Sequence, residues 1–243
     1  PIQLGAELYG HGGLESDIEV LSLMLETLFS AGLSDLVLDL SHVNIVAGVL
    51  AACDLSDDQE AKLLELYNAK DLPELDTFVA SLDTSKAQSD WLVLLPRLCG
   101  GVEVLDAAVL GLGGISDSID EALELLRNIS SVITRRYSSI GLHFDLSDLV
   151  SYSYHTGLLF AAYLPGHGNA IARGGRYNNI GQAFGRSRPA TGFSTDIKAL
   201  VALANIDVVV PKTVLSPVCV SDELWVKVNS LRAQGYRVIE ALD

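Results

Sequence analysis

The chain has 243 residues, of which 31 are acidic and 16 basic, giving a formal charge of -15. That balance sets an electrostatic barrier against any polyphosphate surface and argues against nucleic acid as the main partner. Hydrophobic residues at 49% and charged residues at 19% describe an ordinary globular protein, long enough to bury a large core as one elaborate domain or two small ones.

Three cysteines, Cys53, Cys99 and Cys219, stand far apart with no Cys-x-x-Cys pair, so a reducing, cytoplasmic setting is expected over a disulfide framework. The five histidines show neither His-x-x-x-His nor His-Cys clustering, and neither a metal nor a cofactor is expected. The richest apolar region, Trp91 to Leu112, is interrupted by Pro96, Arg97, Glu103 and Asp106, so no membrane span is expected. The chain opens directly in a strand-like segment, Pro1-Ile2-Gln3, and the start of a longer protein is expected to precede it.

Gln3 to Tyr9 reads as a strand in which Gln3, Gly5 and Glu7 share one face and Leu4, Ala6 and Leu8 the other. Ser16 and Glu19 have the spacing of a capping box and predict a helix carrying Ile18, Leu21, Leu25, Leu28 and Phe29, closed near Gly32. Leu36 to Leu40 alternates around Val37 and Asp39 as a short strand. From about Asn44 to Tyr137 the pattern is helical, with Ser118 and Glu121 as a second capping signature before the last helix. This block offers no polar constellation that points to chemistry, and its expected role is packing or contact with another protein.

Strands return at Leu142 to Leu146, Leu158 to Leu164 and around Ile171 to Tyr177. Thr191-Gly192-Phe193-Ser194 leads into a helix. Ile206 to Val210 and Tyr236 to Ala241 read as strands around a helix near Asp222 to Ala233. Strand and helix blocks without regular alternation predict an α+β fold. No internal repeat or low-complexity linker interrupts the chain.

The most informative stretch is Ala172-Arg173-Gly174-Gly175-Arg176-Tyr177-Asn178. In an extended backbone Arg173, Gly175 and Tyr177 lie on one face, Gly174 and Arg176 on the other. Glycine weakens a strand, so something should need the space. A bare backbone flanked by a guanidinium and a phenol can admit a small polar molecule, with arginine placed for a carboxylate and tyrosine for a nitrogen or hydroxyl. The alternative is a glycine turn between two surface arginines. Glu7 likewise faces either a ligand cation or a structural arginine, for which Arg176 is the obvious candidate.

Four ordered blocks, Gln3-Leu4-Gly5-Ala6-Glu7-Leu8-Tyr9-Gly10, Tyr154-His155-Thr156-Gly157, Arg173-Gly174-Gly175-Arg176-Tyr177 and Thr191-Gly192-Phe193, resemble those of histidyl-tRNA synthetase relatives. Within them the chain is most similar to the ATP phosphoribosyltransferase regulatory subunits, a paralogous branch. The resemblance implies a class II aminoacyl-tRNA synthetase-like antiparallel sheet flanked by helices. It also implies one synthetase-like domain over residues 1–243, lacking its N-terminal part, with the helical block about 44–137 inside it. That missing part would hold the dimer-forming first motif and the arginine-bearing half of the second.

By the same resemblance Gln3 and Glu7 would grip the amino group of histidine, and Arg173, Gly174 and Gly175 would belong to the pocket floor. Tyr177 would meet the imidazole, Tyr154 and His155 would replace a family pair of tyrosines, and Thr156 and Gly157 would shape the wall. Two departures stand out: Ala199 occupies the place of an arginine that clamps ATP, and Val150 that of a catalytic arginine. Neither apolar side chain can stabilise phosphate charge. No anticodon-binding domain is expected after the short closing helix and strand. The implied function is a non-catalytic regulatory subunit that binds the catalytic subunit of ATP phosphoribosyltransferase, self-associates, and transmits feedback inhibition by histidine at the first step of histidine biosynthesis. A histidine-activating class II ligase and an orphan histidine-binding module are the alternatives.

Overall fold

The structure is a computed structural model, and it describes residues 2–148, 155–178, 187–204, 211–218 and 221–241. The chain divides into two compact units, Pro1–Asn205 and Ile206–Asp243, each described by itself.

The first unit begins with β1 (Gln3–Tyr9), α1 (Leu14–Ser30) and β2 (Val37–His42). A run of helices follows: α2 (Val43–Ala51), α3 (Asp57–Ala69), α4 (Leu72–Ala80), α5 (Lys86–Leu94), α6 (Glu103–Leu112) and α7 (Asp117–Arg136), with the short β3 (Cys99–Gly100) before α6. The unit ends with β4 (Gly141–Asp145), β5 (Leu158–Tyr163), β6 (Ala172–Tyr177), β7 (Ala190–Asp196) and α8 (Ile197–Leu203). Seven strands form one sheet in the order β1-β7-β6-β5-β2-β4-β3. Every pair is antiparallel except β2 and β4. Parallel neighbours need a crossover, and the helical block between β2 and β4 supplies it.

One face of this sheet is apolar and buried under α1 and α7. On α1, Leu21, Met24, Leu25 and Leu28 recur at helical spacing and are fully buried. They meet Leu38 and Leu40 of β2, Phe144 of β4 and Phe160 of β5, while Leu126, Ile129 and Ile133 of α7 extend the same core. Polar bonds hold the helical block together and tie it to the sheet. Within it Tyr67 donates its hydroxyl hydrogen to the carbonyl of Leu92 at 2.7 Å, and from it the Lys70 ammonium reaches Asp145 and Ser147 at 2.7 Å each.

The helix starts differ from those read in the sequence. The N-cap of α1 is Gly13, and Ser16 sits inside the first turn, donating to the Gly13 carbonyl at 2.7 Å. The N-cap of α7 is Ser116, which accepts from the Ile119 N–H, and Ser118 lies two residues further in. Complete capping boxes do occur, at Ser56 with Gln59 and at Ser85 with Gln88. In both, the third helical residue is glutamine.

Ser16 is withheld from capping because it belongs to a buried polar knot. The guanidinium of Arg176 on β6 lies 2.8 Å from Asp17 and donates to Ser16 at 2.8 Å, to the Gly13 carbonyl at 3.0 Å and to the His11 carbonyl at 3.2 Å. Thr191 on β7 donates to Asp17 at 2.7 Å. Burial raises the Asp17 carboxyl, opposed by the hydrogen bond from Thr191 and the charge of Arg176. The knot pins the start of α1 onto two neighbouring strands. It also settles the role of Arg176, whose partner is Asp17 and not Glu7.

His42, at the junction of β2 and α2, is buried and caps α2 by accepting the Asn44 N–H at 3.2 Å. Burial, with the Arg176 charge adding to it, pushes its imidazole down to about 4.

In the second unit, β8 (Thr213–Ser216) and β9 (Arg237–Glu240) are parallel and are joined through α9 (Asp222–Ala233), which is capped by Ser221. β8 was not expected from the sequence, and the expected strand at Ile206 to Val210 lies outside the described residues. Among the described residues no helix is long and apolar enough to cross a membrane, and no group of three or more His, Cys, Asp or Glu could hold a metal ion.

Two stability predictions follow from the buried polar groups. Arg176→Gln leaves Asp17 without its ion-pair partner and should cost about 3–5 kcal/mol in denaturant unfolding, whereas Arg173→Gln on the opposite face should stay within about 0.5 kcal/mol of the parent. His42 is neutral when folded and has an ordinary pKa near 6.5 when unfolded, so the unfolded chain binds the extra proton between these values. Stability should therefore fall as the pH drops from about 6.5 through about 4, by an amount on the order of 3 kcal/mol from this group. His42→Asn, which keeps a capping acceptor, should flatten that part of the pH–stability curve, measured by urea unfolding across the range.

Candidate functional site

The second face of the sheet is built from the residues that alternate with the core. Strand register aligns them in a row: Glu7 opposite Gly192, Gly192 opposite Gly175, and Gly175 opposite Leu159. Beside it runs a second row, Gly5, Ser194, Arg173, Ala161, Asp39 and His143, each opposite the next. Period-two alternation thus leaves one side of six strands with glycine, small residues and charge, while their intervening neighbours fill the core.

This face floors a cavity of about 420 Å³. Of the residues singled out in the sequence, Gln3, Glu7, His155, Arg173, Gly174 and Tyr177 line it. Gly175 lies beneath His155: a methyl group added there would come 2.5 Å from the imidazole Cδ2. The rings of His155 and Tyr177 meet edge to face, with centroids 6.4 Å apart and an interplanar angle of 73°. Thr156 is not among the lining residues. Its backbone N–H donates to the Arg176 carbonyl at 2.8 Å and its hydroxyl accepts the Asn178 N–H at 2.9 Å, which closes the end of β6. Tyr154 and Val150 lie outside the described residues.

Glycine at 192 has a direct steric reason. A methyl group there would lie 2.3 Å from a carboxylate oxygen of Glu7, so the bare backbone is what lets that side chain lie across β7. Gly174 faces the other way in packing terms: a methyl group would come within 2.4 Å of the Gly192 carbonyl and of the Phe160 ring. The first glycine shapes the cavity, and the second permits close packing beneath it.

Glu7 and Arg173 take part in no ion pair among the described residues. Burial raises the Glu7 carboxyl above its ordinary range. A carboxylate and a guanidinium held on one floor, about two strand spacings apart, suit a small molecule carrying both an amine and a carboxylate. The aromatic pair of His155 and Tyr177 adds a polar-edged wall. Ala199 occupies α8 and is exposed, next to Lys198.

Sequence reasoning missed the far side of the cavity. Asp39, Ser41, Asp148, Leu159, Phe160, Ala161, Gly192 and Ser194 also contribute. Asp39 accepts a hydrogen bond in its pairing with His143 Nδ1 at 2.8 Å, and His143 Nε2 lies 3.5 Å from Cys99 Sγ. The available signal was the alternation Leu38-Asp39-Leu40-Ser41, which places two polar residues on the face opposite two core leucines.

Comparison with known proteins bears on this geometry. The family profile described as "Histidyl-tRNA synthetase" matches residues 1–200. The ATP phosphoribosyltransferase regulatory subunit of Marinomonas sp. (strain MWYL1) is 70% identical, over 100% of this chain and 62% of the relative. The protein of the same name from Thioalkalivibrio sulfidiphilus (strain HL-EbGR7) is 44% identical over the same shares. The crystal structure of an ATP phosphoribosyltransferase regulatory subunit/histidyl-tRNA synthetase from Bacillus halodurans is similar with a TM-score of 0.80 at 28% identity, covering 99% of this chain and 64% of that one. The chain thus spans a little under two thirds of the length of the proteins it matches, and the α+β synthetase-like fold is shared with them. With 200 of its residues inside the family profile, the chain belongs to the histidyl-tRNA synthetase family.

Proposed function

We propose that this chain is part of a regulatory subunit of ATP phosphoribosyltransferase, binds free histidine in the cavity over β1, β7 and β6, and carries out no chemistry of its own. The single observation that carries the ligand reading is the pair of opposite charges, Glu7 and Arg173, which make no ion pair among the described residues, on one glycine-bearing floor. Gln3 and Glu7 receive the α-ammonium, Arg173 the carboxylate, and the His155–Tyr177 wall the imidazole. Tyr154 is assigned to the same wall by the family resemblance. The relatives named as regulatory subunits, at 70% and 44% identity, support the placement in the phosphoribosyltransferase system.

The non-catalytic reading is supported by Ala199 on α8. Adenylation develops negative charge on phosphate, and a methyl group contributes nothing to its stabilisation, where one preorganised donor is worth about 3–4 kcal/mol. In this reading the catalytic partner joins ATP to phosphoribosyl pyrophosphate, and this subunit supplies regulation. For inhibition to pass between them, histidine must bind one conformation of the assembly better than another. Self-association and the binding of the catalytic subunit are part of the same proposal. The synthetase-type ligase is the competing reading, since one solved relative is named as both.

Glu7→Ala should reduce histidine affinity at least tenfold in calorimetric titration, with thermal unfolding and complex formation with the catalytic subunit unchanged. Unchanged affinity would remove Glu7 from the site. The full-length protein should show no histidine-dependent exchange of pyrophosphate into ATP, and robust exchange would favour the ligase.

A further inference from the structure

The cavity is longer than the ligand proposed for it. From β1 to β2 its floor crosses four strand spacings, about 19 Å at ~4.8 Å each. An amino acid bridging Glu7 and Arg173 covers the half over β1, β7 and β6. The half over β5 and β2 is left, floored by the short apolar side chains of Leu159 and Ala161 and edged by Asp39 and Ser41.

Ser41 is 3% exposed, and its hydroxyl, buried against the cavity, has no hydrogen-bond partner among the described residues. A hydroxyl buried without a partner is destabilising, and such a group calls for an explanation. Asp39 stands two residues away on the same face. Its Oδ1 is engaged by His143 Nδ1 at 2.8 Å, which fixes the carboxylate, and its Oδ2 makes no hydrogen bond among the described residues. Asp148 lines the same end. The phenol of Tyr163, two residues along β5 from Ala161, is raised by burial, with the charge of Arg173 opposing and those of Asp39, Asp148 and Asp145 adding to it.

We propose that Asp39 and Ser41 form a second subsite in this cavity, which takes a hydrogen-bond-donating cation of the guanidinium or ammonium type. One N–H is donated to the free oxygen of Asp39 and another to the buried Ser41 hydroxyl oxygen, with Leu159 and Ala161 beneath the group. Asp39, Ser41 and Asp148 converge at this end of the cavity, and the acceptor oxygens of Asp39 and Ser41 suit a hydrogen-bond-donating cation over an anion or a neutral apolar group. The subsite goes beyond the histidine reading and does not depend on it.

The test is a titration of methylguanidinium chloride into the full-length protein at constant ionic strength, followed by ligand-observed NMR, with and without saturating histidine. Saturable binding is expected in both conditions. Asp39→Asn should weaken it at least tenfold and Ser41→Ala severalfold, while Glu7→Gln should leave it within twofold. Circular dichroism verifies the fold of each variant, and if Asp39→Asn fails to fold, Ser41→Ala decides. Absence of saturable binding to the parent overturns the proposal. So does binding that follows Glu7 while ignoring Asp39 and Ser41. Because one arm contains no histidine, failure of histidine binding leaves this result readable.

Discussion

The buried contact between Arg176 and Asp17 fixes how the sheet presents its two faces. It holds the first turn of α1 against β6, and Thr191 extends the same knot to β7. A pair like this contributes little to net stability against an apolar replacement, yet losing one member leaves an uncompensated buried charge. Its structural consequence is register. With Arg176 committed to the helix side, strand alternation forces Arg173, Gly175 and Tyr177 to the other side, and a one-residue slip would exchange the two sets.

That constraint explains why a single sheet can be both a core wall and a cavity floor. Leu38, Leu40, Phe144, Phe160 and Phe193 face α1 and α7, while Asp39, Ala161, Gly175, Gly192 and Glu7 face the cavity. β2, β5 and β7 contribute to both. The floor carries charge because its other side carries none outside the Arg176 knot. Glycine at 192 then gives Glu7 room to lie flat, so the cavity depends on missing side chains as much as on present ones.

Much of this was legible in the chain itself, and what was not has physical causes. β1 and α9 coincide with their sequence boundaries, Gln3–Tyr9 and Asp222–Ala233, because alternation and helical spacing there are unbroken. The helical block read as about 44–137 spans α2 to α7, with β3 hidden in it as two residues that no local pattern announces. Ser16 has the residue type and spacing of a cap, but Arg176, 160 residues away, claims its hydroxyl. Gln3, Glu7, Arg173 and Tyr177 come together as their shared faces suggest. Asp39 and Ser41 were missed because a short strand with two polar residues is unremarkable until long-range pairing with β5 carries it to the cavity wall. Thr156, read as part of that wall, closes the end of β6 instead of lining the cavity.

The central claim is that the cavity face is a surviving amino-acid cradle from which nucleotide chemistry is absent. The most direct measurement is a crystal structure of the full-length protein soaked with histidine and ATP together. The account predicts histidine with its ammonium at Glu7 and its carboxylate at Arg173, and no ordered nucleotide beside it. Triphosphate density aligned with the histidine carboxylate would contradict it, as would histidine bound elsewhere while this cavity holds only water.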